Sequence, residues 1–193
     1  HLQTRVLVET DYGNIELELF ENTPLHRANF LYMIERDYYT QTEIIRVVKN
    51  FVIQGGNSDE SIPAFRRSII GKYTIPAEIT KRNIHLRGAL AMSRSYTENP
   101  SKRSSPYDFY IVHGKVPNRS ELLDVEMNSD FKHSESQLNQ YKNRGGAIHL
   151  DGEHTVFGKV VSGMEAVDAI ANLPTDASEW PNEKVVFRMS VLE

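Results

Sequence analysis

A mainly β chain, closed into an antiparallel barrel or stacked as a sandwich, is what three features of the sequence imply. Apolar and polar residues alternate in about eight short runs, the period-two signature of half-buried strands. Connections containing Gly and Pro separate the runs, as in all-β architectures with many short strands. The length of 193 residues suits a single domain over 1–193 that carries an insertion.

The first run, Arg5 to Glu9, passes through Asp11-Tyr12-Gly13 into Asn14 to Leu19. Ile15, Leu17 and Leu19 are apolar while Glu16 and Glu18 are acidic, so this is a half-buried strand after a tight turn. Thr23-Pro24 then offers an N-cap with Pro at the first helical position. Leu25, Ala28, Leu31 and Ile34 recur at helical spacing, which predicts a helix to about Arg36. Strands are expected at 44–48, 51–54, 89–93 and 109–112. Residues 115–148 differ in character. Ser120 to Met127 is a weak helical run, Ser134 with Gln137 forms a capping-box pattern, and Gly145-Gly146 offers a helix stop. The segment is too short and too polar to hold its own core, so it reads as a helical surface excursion. A strand at 155–161 precedes a second amphipathic helix with Met164, Val167, Ile170 and Ala171 on one face. A last strand is expected at 185–192. The helices at 24–36 and after 162 read as plugs over the two ends of the β structure.

Composition removes several functions. The 22 Lys and Arg against 26 Asp and Glu give a net charge of −4. With no basic tract, that argues against nucleic acid as the main partner. No run reaches the roughly 18 apolar residues of a membrane span. The absence of cysteine removes disulfides, thiol nucleophiles and Cys-ligated metal. A start at His1-Leu2 in place of Met is expected either of a processed product or of a trimmed chain, and the expectation leans to the bacterial periplasm or cell envelope with the cytoplasm still open.

Three stretches are dense in chemistry. In the first, Ile44 to Gly56, residues two apart on a strand share a face, which places Arg46 with Ile44 and Val48. That is either an edge strand with a surface Arg, or an Arg held against an apolar pocket by Gln54. The second runs from Gly88 to Ser93 and resumes at Tyr107-Asp108-Phe109-Tyr110-Ile111. The third is His149 to Gly158.

Together, and in this order, the stretches resemble the cyclophilins, the cyclosporin-type peptidyl-prolyl isomerases. Arg46 with Phe51 to Gly56, Gly88 to Met92, Tyr107 to Ile111 and Leu150 to Gly158 each match a block of that family. The resemblance runs from about residue 5 to 192, the 115–148 excursion excepted. It implies an eight-stranded antiparallel barrel capped by two α-helices, with a shallow groove on its outside and no cofactor or metal. Phe51, Val52, Tyr110 and Leu150 would then enclose a proline ring, with Ser93 beside them and His154 and His149 at the wall. Arg46 would donate toward the prolyl nitrogen, Gln54 would orient it, and the Arg94 backbone would hold the substrate chain. The implied partners are proline-containing peptides or unfolded polypeptides, met by a monomer.

The departures from the family carry weight too. Ile45 stands where the family has His, Val52 where it has Met, and His149 where many members have Trp, which implies weak cyclosporin binding. Asp108 replaces the usual Gln of the catalytic set. It either pairs with Arg46 and positions it, or diverts its donors and offsets its charge. In the second case the chain is a peptide-binding module of low turnover. A third possibility is that residues 115–148 dock a partner.

Other patterns are weaker. Asp124, Glu126, Asn128, Asp130 and Glu135 approach calcium-loop spacing, but Ser129 occupies the position that needs Gly. His149, Asp151 and His154 are metal-ligating types, with Asp151-Gly152 better read as a turn. No nucleophile elbow is present, and Trp180-Pro181 is expected to anchor the C-terminal segment.

Overall fold

Thr10 and Gly13 close the first hairpin, the Thr10 hydroxyl donating to the Gly13 carbonyl at 2.8 Å. The hairpin joins β1 (Arg5–Thr10) to β2 (Gly13–Leu19). The computed structural model describes residues 4–40 and 42–192. His1 and Leu2, which carry the expectation of a processed or trimmed start, lie outside the described residues. Six further strands follow: β3 (Thr42–Val48), β4 (Val52–Gly55), β5 (Ala89–Met92), β6 (Phe109–Val112), β7 (Val156–Ser162) and β8 (Val186–Leu192). They form a closed barrel in the order β1-β2-β7-β5-β6-β4-β3-β8, every pair antiparallel. The choice between barrel and sandwich is thus resolved in favour of the barrel. Closure removes the unpaired edges that an open sheet must protect. It also sets the first and last strands side by side, with Arg5 opposite Leu192.

Inward-facing residues of every strand meet in an aromatic core. Phe30 of α1 (Pro24–Glu35) packs edge-on against Phe109 and Phe157, with ring centroids 5.8 and 5.2 Å apart. Tyr39 meets Phe109 at 89°, the T-shaped arrangement that ring quadrupoles favour. At the other end α5 (Met164–Ala171) buries Val167 and Ile170.

Two expectations for α1 need correction. Its buried face is His26, Asn29, Phe30, Met33 and Ile34, while Leu25 is 48% exposed and Ala28 faces solvent. The barrel mouth takes the large Phe30 and Met33, which turns the helix away from the smaller stripe. His26 is tolerated there because its ring nitrogens meet Glu78 at 2.7 Å and Ser104 at 2.9 Å. Thr23 precedes the helix without capping it by its side chain. The Glu78 carboxylate instead accepts from the Leu25 and His26 amides, both at 2.9 Å, placing an anion at the positive end of the helix dipole.

A further helix, α2 (Ser61–Ile70), has no counterpart in the sequence reading. Its Ile62, Phe65 and Ile69 are exposed, and Arg67 ties it down by donating to the Ser58 carbonyl at 2.7 Å. The excursion contains α3 (Arg119–Asn128) and α4 (Glu135–Arg144), each opened by a complete capping box, Asn118 with Glu121 and Ser134 with Gln137. Val125 and Tyr141 of these helices share a small apolar cluster with Ile84 and Ile148. The base of the excursion is backbone against backbone. A Cβ at Gly114 would lie 2.7 Å from the Gly146 Cα, so only glycine fits there. Among the described residues no helix is long and apolar enough to cross a membrane.

Candidate active site on the outer barrel wall

Residue pairing across β3, β4, β6 and β5 sets Arg46 opposite Gln54, Gln54 opposite Tyr110, and Tyr110 opposite Ala91. These residues form one row on the outside of the barrel, while Val47, Ile53, Ile111 and Leu90 point into the core. A register shift between Ile44 and Arg46 makes a bulge in β3. Ile44 therefore turns into the core with Val47, and Arg46 keeps only Val48 on its face, contrary to simple period-two alternation. An extra residue that re-aims a side chain is what a β-bulge supplies next to a site.

Outside this wall lies a second apolar cluster made of Val52, Tyr110, Leu150, Ala91 and Val112, with Phe51 packed against it. Above it opens a cavity of about 460 Å³. Its lining brings together all the residues singled out from sequence: Arg46, Gln54 and Asp108, then Phe51, Val52, Ser93, Arg94 and Tyr110, then His149, Leu150 and His154. Tyr96 joins them, unanticipated. A cavity of about 550 Å³ adjoins it past Phe51 and His149, and one of about 830 Å³ lies beyond Ser95, beside α2.

The polar groups are not paired as expected. The Arg46 Nε donates to Glu179 Oε2, a partner 133 positions away that sequence reading did not name. Glu179 is itself fixed, because its carbonyl accepts from the Val47 amide at 2.8 Å and its own amide reaches Asp176 at 3.1 Å. Its φ of 65° is the left-handed conformation uncommon for a non-glycine residue. Gln54, expected to orient Arg46, instead donates through Nε2 to Asp108 Oδ1 at 2.9 Å. Burial pushes the Asp108 carboxyl up to about 6, against the opposing pull of the Gln54 hydrogen bond and the Arg46 charge. The Arg46 guanidinium also sits 5.8 Å from the Phe51 ring centroid.

The Arg94 side chain is fully engaged. It donates to the Glu153 carbonyl at 2.6 Å and carboxylate at 2.7 Å, and lies 4.0 Å over the Tyr96 ring. Among the described residues its main-chain N–H and C=O take no protein partner, which leaves them for an extended chain laid along the groove. Ser93 is tied to the next strand, its amide reaching the Asp108 carbonyl at 2.7 Å.

His154 bonds the Met92 carbonyl through Nδ1 at 3.2 Å and Tyr96 Oη through Nε2 at 2.7 Å. A carbonyl only accepts, so Nδ1 carries the proton and Nε2 accepts. Burial lowers this His to about 4, so it is neutral at pH 7. The ring of His149 lies 5.2 Å from that of Phe51, and burial lowers its pKa as well.

Beneath the cavity floor Tyr110 Oη meets His85 Nε2 at 2.8 Å, and His85 Nδ1 meets Asp151 Oδ1 at 2.8 Å. Asp151 also accepts from the His85 amide at 2.7 Å, from His133 Nε2 at 2.7 Å and from Tyr141 Oη at 2.6 Å. Burial works against its ionisation, but the hydrogen bonds from His133, His85 and Tyr141 hold the carboxyl down at about 2. Asp151 is therefore a structural hub that connects the excursion to Tyr110, separate from His149 and His154. Its partners lie far apart in sequence, and no local pattern marks them.

The family model described as cyclophilin type peptidyl-prolyl cis-trans isomerase/CLD matches residues 5–191. A peptidyl-prolyl cis-trans isomerase of Acinetobacter baylyi is 31% identical over 176 residues, covering 89% of this chain and 74% of that protein. A Streptococcus pyogenes protein named for two activities, phosphatase and peptidyl-prolyl cis-trans isomerase, is 30% identical over 97% of this chain. This chain spans only 38% of that protein's length. A Cryptosporidium parvum cyclophilin type isomerase has the same fold, with a TM-score of 0.71 at 23% identity, covering 99% of this chain and 98% of its own.

Proposed function

The chain belongs to the cyclophilin-type peptidyl-prolyl cis-trans isomerase family, and from that premise we propose that it accelerates rotation about Xaa-Pro bonds in polypeptides, with Arg46 as the catalytic donor. The observation that carries this reading is a single cavity in which Arg46 faces the apolar Phe51, Val52, Tyr110 and Leu150. Rotation of a peptide bond meets a barrier of about 18–20 kcal/mol because the C–N bond is partly double. No covalent bond has to break. The apolar wall holds the proline ring, and the free main-chain groups of Arg94 hold the flanking chain. As the amide twists, its nitrogen regains a lone pair that planar resonance had delocalised. A guanidinium N–H donated to that lone pair binds the twisted state more tightly than the planar one, which is the condition for raising the rate. Glu179 fixes the direction in which Arg46 presents its remaining donors.

The test is exchange of an Xaa-Pro tetrapeptide measured by NMR for wild type, Arg46→Ala and Arg46→Lys. Loss of one preorganised donor of this kind costs about 10²–10³ in turnover. Arg46→Ala is expected to lose that much with its circular dichroism unchanged, since the side chain is 38% exposed. Wild-type turnover in Arg46→Ala removes Arg46 from the mechanism.

One observation favours a second reading. Two carboxylates, Glu179 and Asp108, flank Arg46 and offset its charge. A catalytically weak module that binds proline-containing segments would show measurable affinity with background exchange. The pocket wall is small at Val52 and lacks an indole at His149, so weak cyclosporin binding is expected under either reading.

A further inference from the structure

We infer that the cavity of about 550 Å³ on the far side of Phe51 and His149 is a second subsite, which takes a bulky apolar side chain two or three residues from the proline. The inference rests on the peptide-binding reading of the main groove and names the part of the substrate that reading leaves unplaced.

The two cavities share a partition. Phe51 and His149, with ring centroids 5.2 Å apart, line both. A chain leaving the proline pocket over this partition reaches the second cavity. At about 3.3–3.6 Å per extended residue, crossing two tilted rings takes two or three residues. The occupant is therefore the same polypeptide whose proline is bound next door.

The walls decide its chemistry. The floor is Phe51, Pro117, Val125 and Ile148, the last two belonging to the apolar cluster beneath the excursion. Four charged residues line the mouth, Lys49, Lys115, Glu121 and Asp124, and two of them pair with each other. Lys115 Nζ and Glu121 Oε1 pair at 2.6 Å, and the Glu121 carboxyl also accepts from the Asn118 amide at 2.8 Å as part of the α3 capping box. Asp124 accepts from Asn128 Nδ2 at 2.6 Å. What an entering side chain meets is an apolar floor inside a polar rim that carries charges of both signs, the usual character of a pocket for an apolar group.

The cavity is also preformed. Its outer wall is α3, and the excursion that carries α3 is anchored where Gly114 and Gly146 meet backbone to backbone. Lys115 and Gly146 exchange hydrogen bonds there at 3.3 and 2.9 Å. A wall that needs no ordering on binding costs the complex little entropy. The excursion thus acquires a role as part of the substrate groove.

The experiment uses a tetrapeptide with one Xaa-Pro centre and two nonamers built around it. One nonamer carries Phe two and three residues before the proline, the other two and three residues after it, and each has an Ala-substituted twin. Dissociation constants are measured by calorimetry for wild type and for Asp124→Trp. Asp124 is exposed at the cavity mouth with its carboxylate held by Asn128, and the proposal needs no contact from it. The larger ring at that position narrows the mouth of the cavity. One Phe nonamer is expected to bind about tenfold more tightly than its Ala twin, with 15N shift changes at Val125 and Gly146. In Asp124→Trp that gain disappears while tetrapeptide affinity stays within twofold. Equal affinities for both Phe nonamers and their twins overturn the inference, as does a gain that survives in Asp124→Trp. Tetrapeptide exchange measured on the same samples separates the two claims. Turnover without a Phe gain removes the subsite alone, and a Phe gain without turnover removes the isomerase reading alone.

Discussion

Replacing Asp108 by Asn should make the protein more stable at neutral pH and leave it unchanged in acid. The folded chain holds the Asp108 carboxyl at about 6, against an ordinary value of 3.8, chiefly because burial disfavours the carboxylate. A pKa raised on folding means that the native state binds this proton more tightly than the unfolded chain does. Below about 3.8 the group is protonated in both states and costs nothing. The cost grows as the pH rises through this interval, and it is complete once the pH passes about 6. At 1.36 kcal/mol per pH unit, the difference between 3.8 and about 6 amounts to about 3 kcal/mol as an upper figure. For a chain of this size each kcal/mol moves the midpoint by about 2–4 °C, so Asp108→Asn should melt up to about 6–12 °C higher than wild type at pH 7.5. At pH 3.5 the two should coincide. The measurement is thermal unfolding by circular dichroism across pH 3.5–8, read as the difference between variant and wild type. The difference is essential because His154, lowered to about 4 by burial, works in the opposite direction and destabilises the fold as the pH falls below 6.5. A difference that stays flat between pH 4 and 7 refutes the reasoning. The same titration reaches function, since a neutral Asp108 stops offsetting the Arg46 charge. Wild-type kcat/KM should rise as the pH falls from 7.5 to 5.5, and Asp108→Asn should show no such rise.

Other expectations concern the groups that hold the site. Glu179→Gln should lower kcat by up to about fivefold with KM little changed, in line with the roughly 0.2–1 kcal/mol of an exposed ion pair. The 15Nε resonance of Arg46 should shift in the same variant, and an unmoved resonance would remove Glu179 from its positioning role. Tyr141→Phe takes one of the donors from the buried Asp151 carboxylate and should cost about 1.5–3 kcal/mol in urea unfolding. An unchanged midpoint would show that Asp151 does not depend on the excursion.

The parts of this architecture that repeat locally could be read directly from the chain. Ile15, Leu17 and Leu19 announce β2 by alternation, and Met164, Val167 and Ile170 announce α5 by helical spacing. Ser134 and Gln137 mark the start of α4 through a bond between their own side chains and backbones. The cavity residues other than Tyr96 are legible as a set because they lie in or beside four blocks of family pattern. What escaped depends on partners distant in sequence or on packing. The bulge in β3 is visible only as register against β4. The face that α1 buries is chosen by the width of the barrel mouth and by Glu78, 52 positions from His26. Helix α2 presents Ile62, Phe65 and Ile69 to solvent, so its apolar residues signalled no buried face. Glu179 reaches Arg46 from a turn beyond the last helix, where nothing in the neighbouring residues distinguishes it from an ordinary surface carboxylate.

The pairing of β1 with β8 has an architectural consequence of its own. With Arg5 facing Leu192, the polypeptide enters and leaves the barrel one strand spacing apart, about 4.8 Å. A unit built this way behaves like a plug with both wires on the same side. It can be spliced into a surface loop of another protein, or joined end to end and reopened elsewhere, without threading the chain through the barrel. The groove lies across β3, β4, β6 and β5, so grafting at the β1–β8 seam would leave the working face untouched.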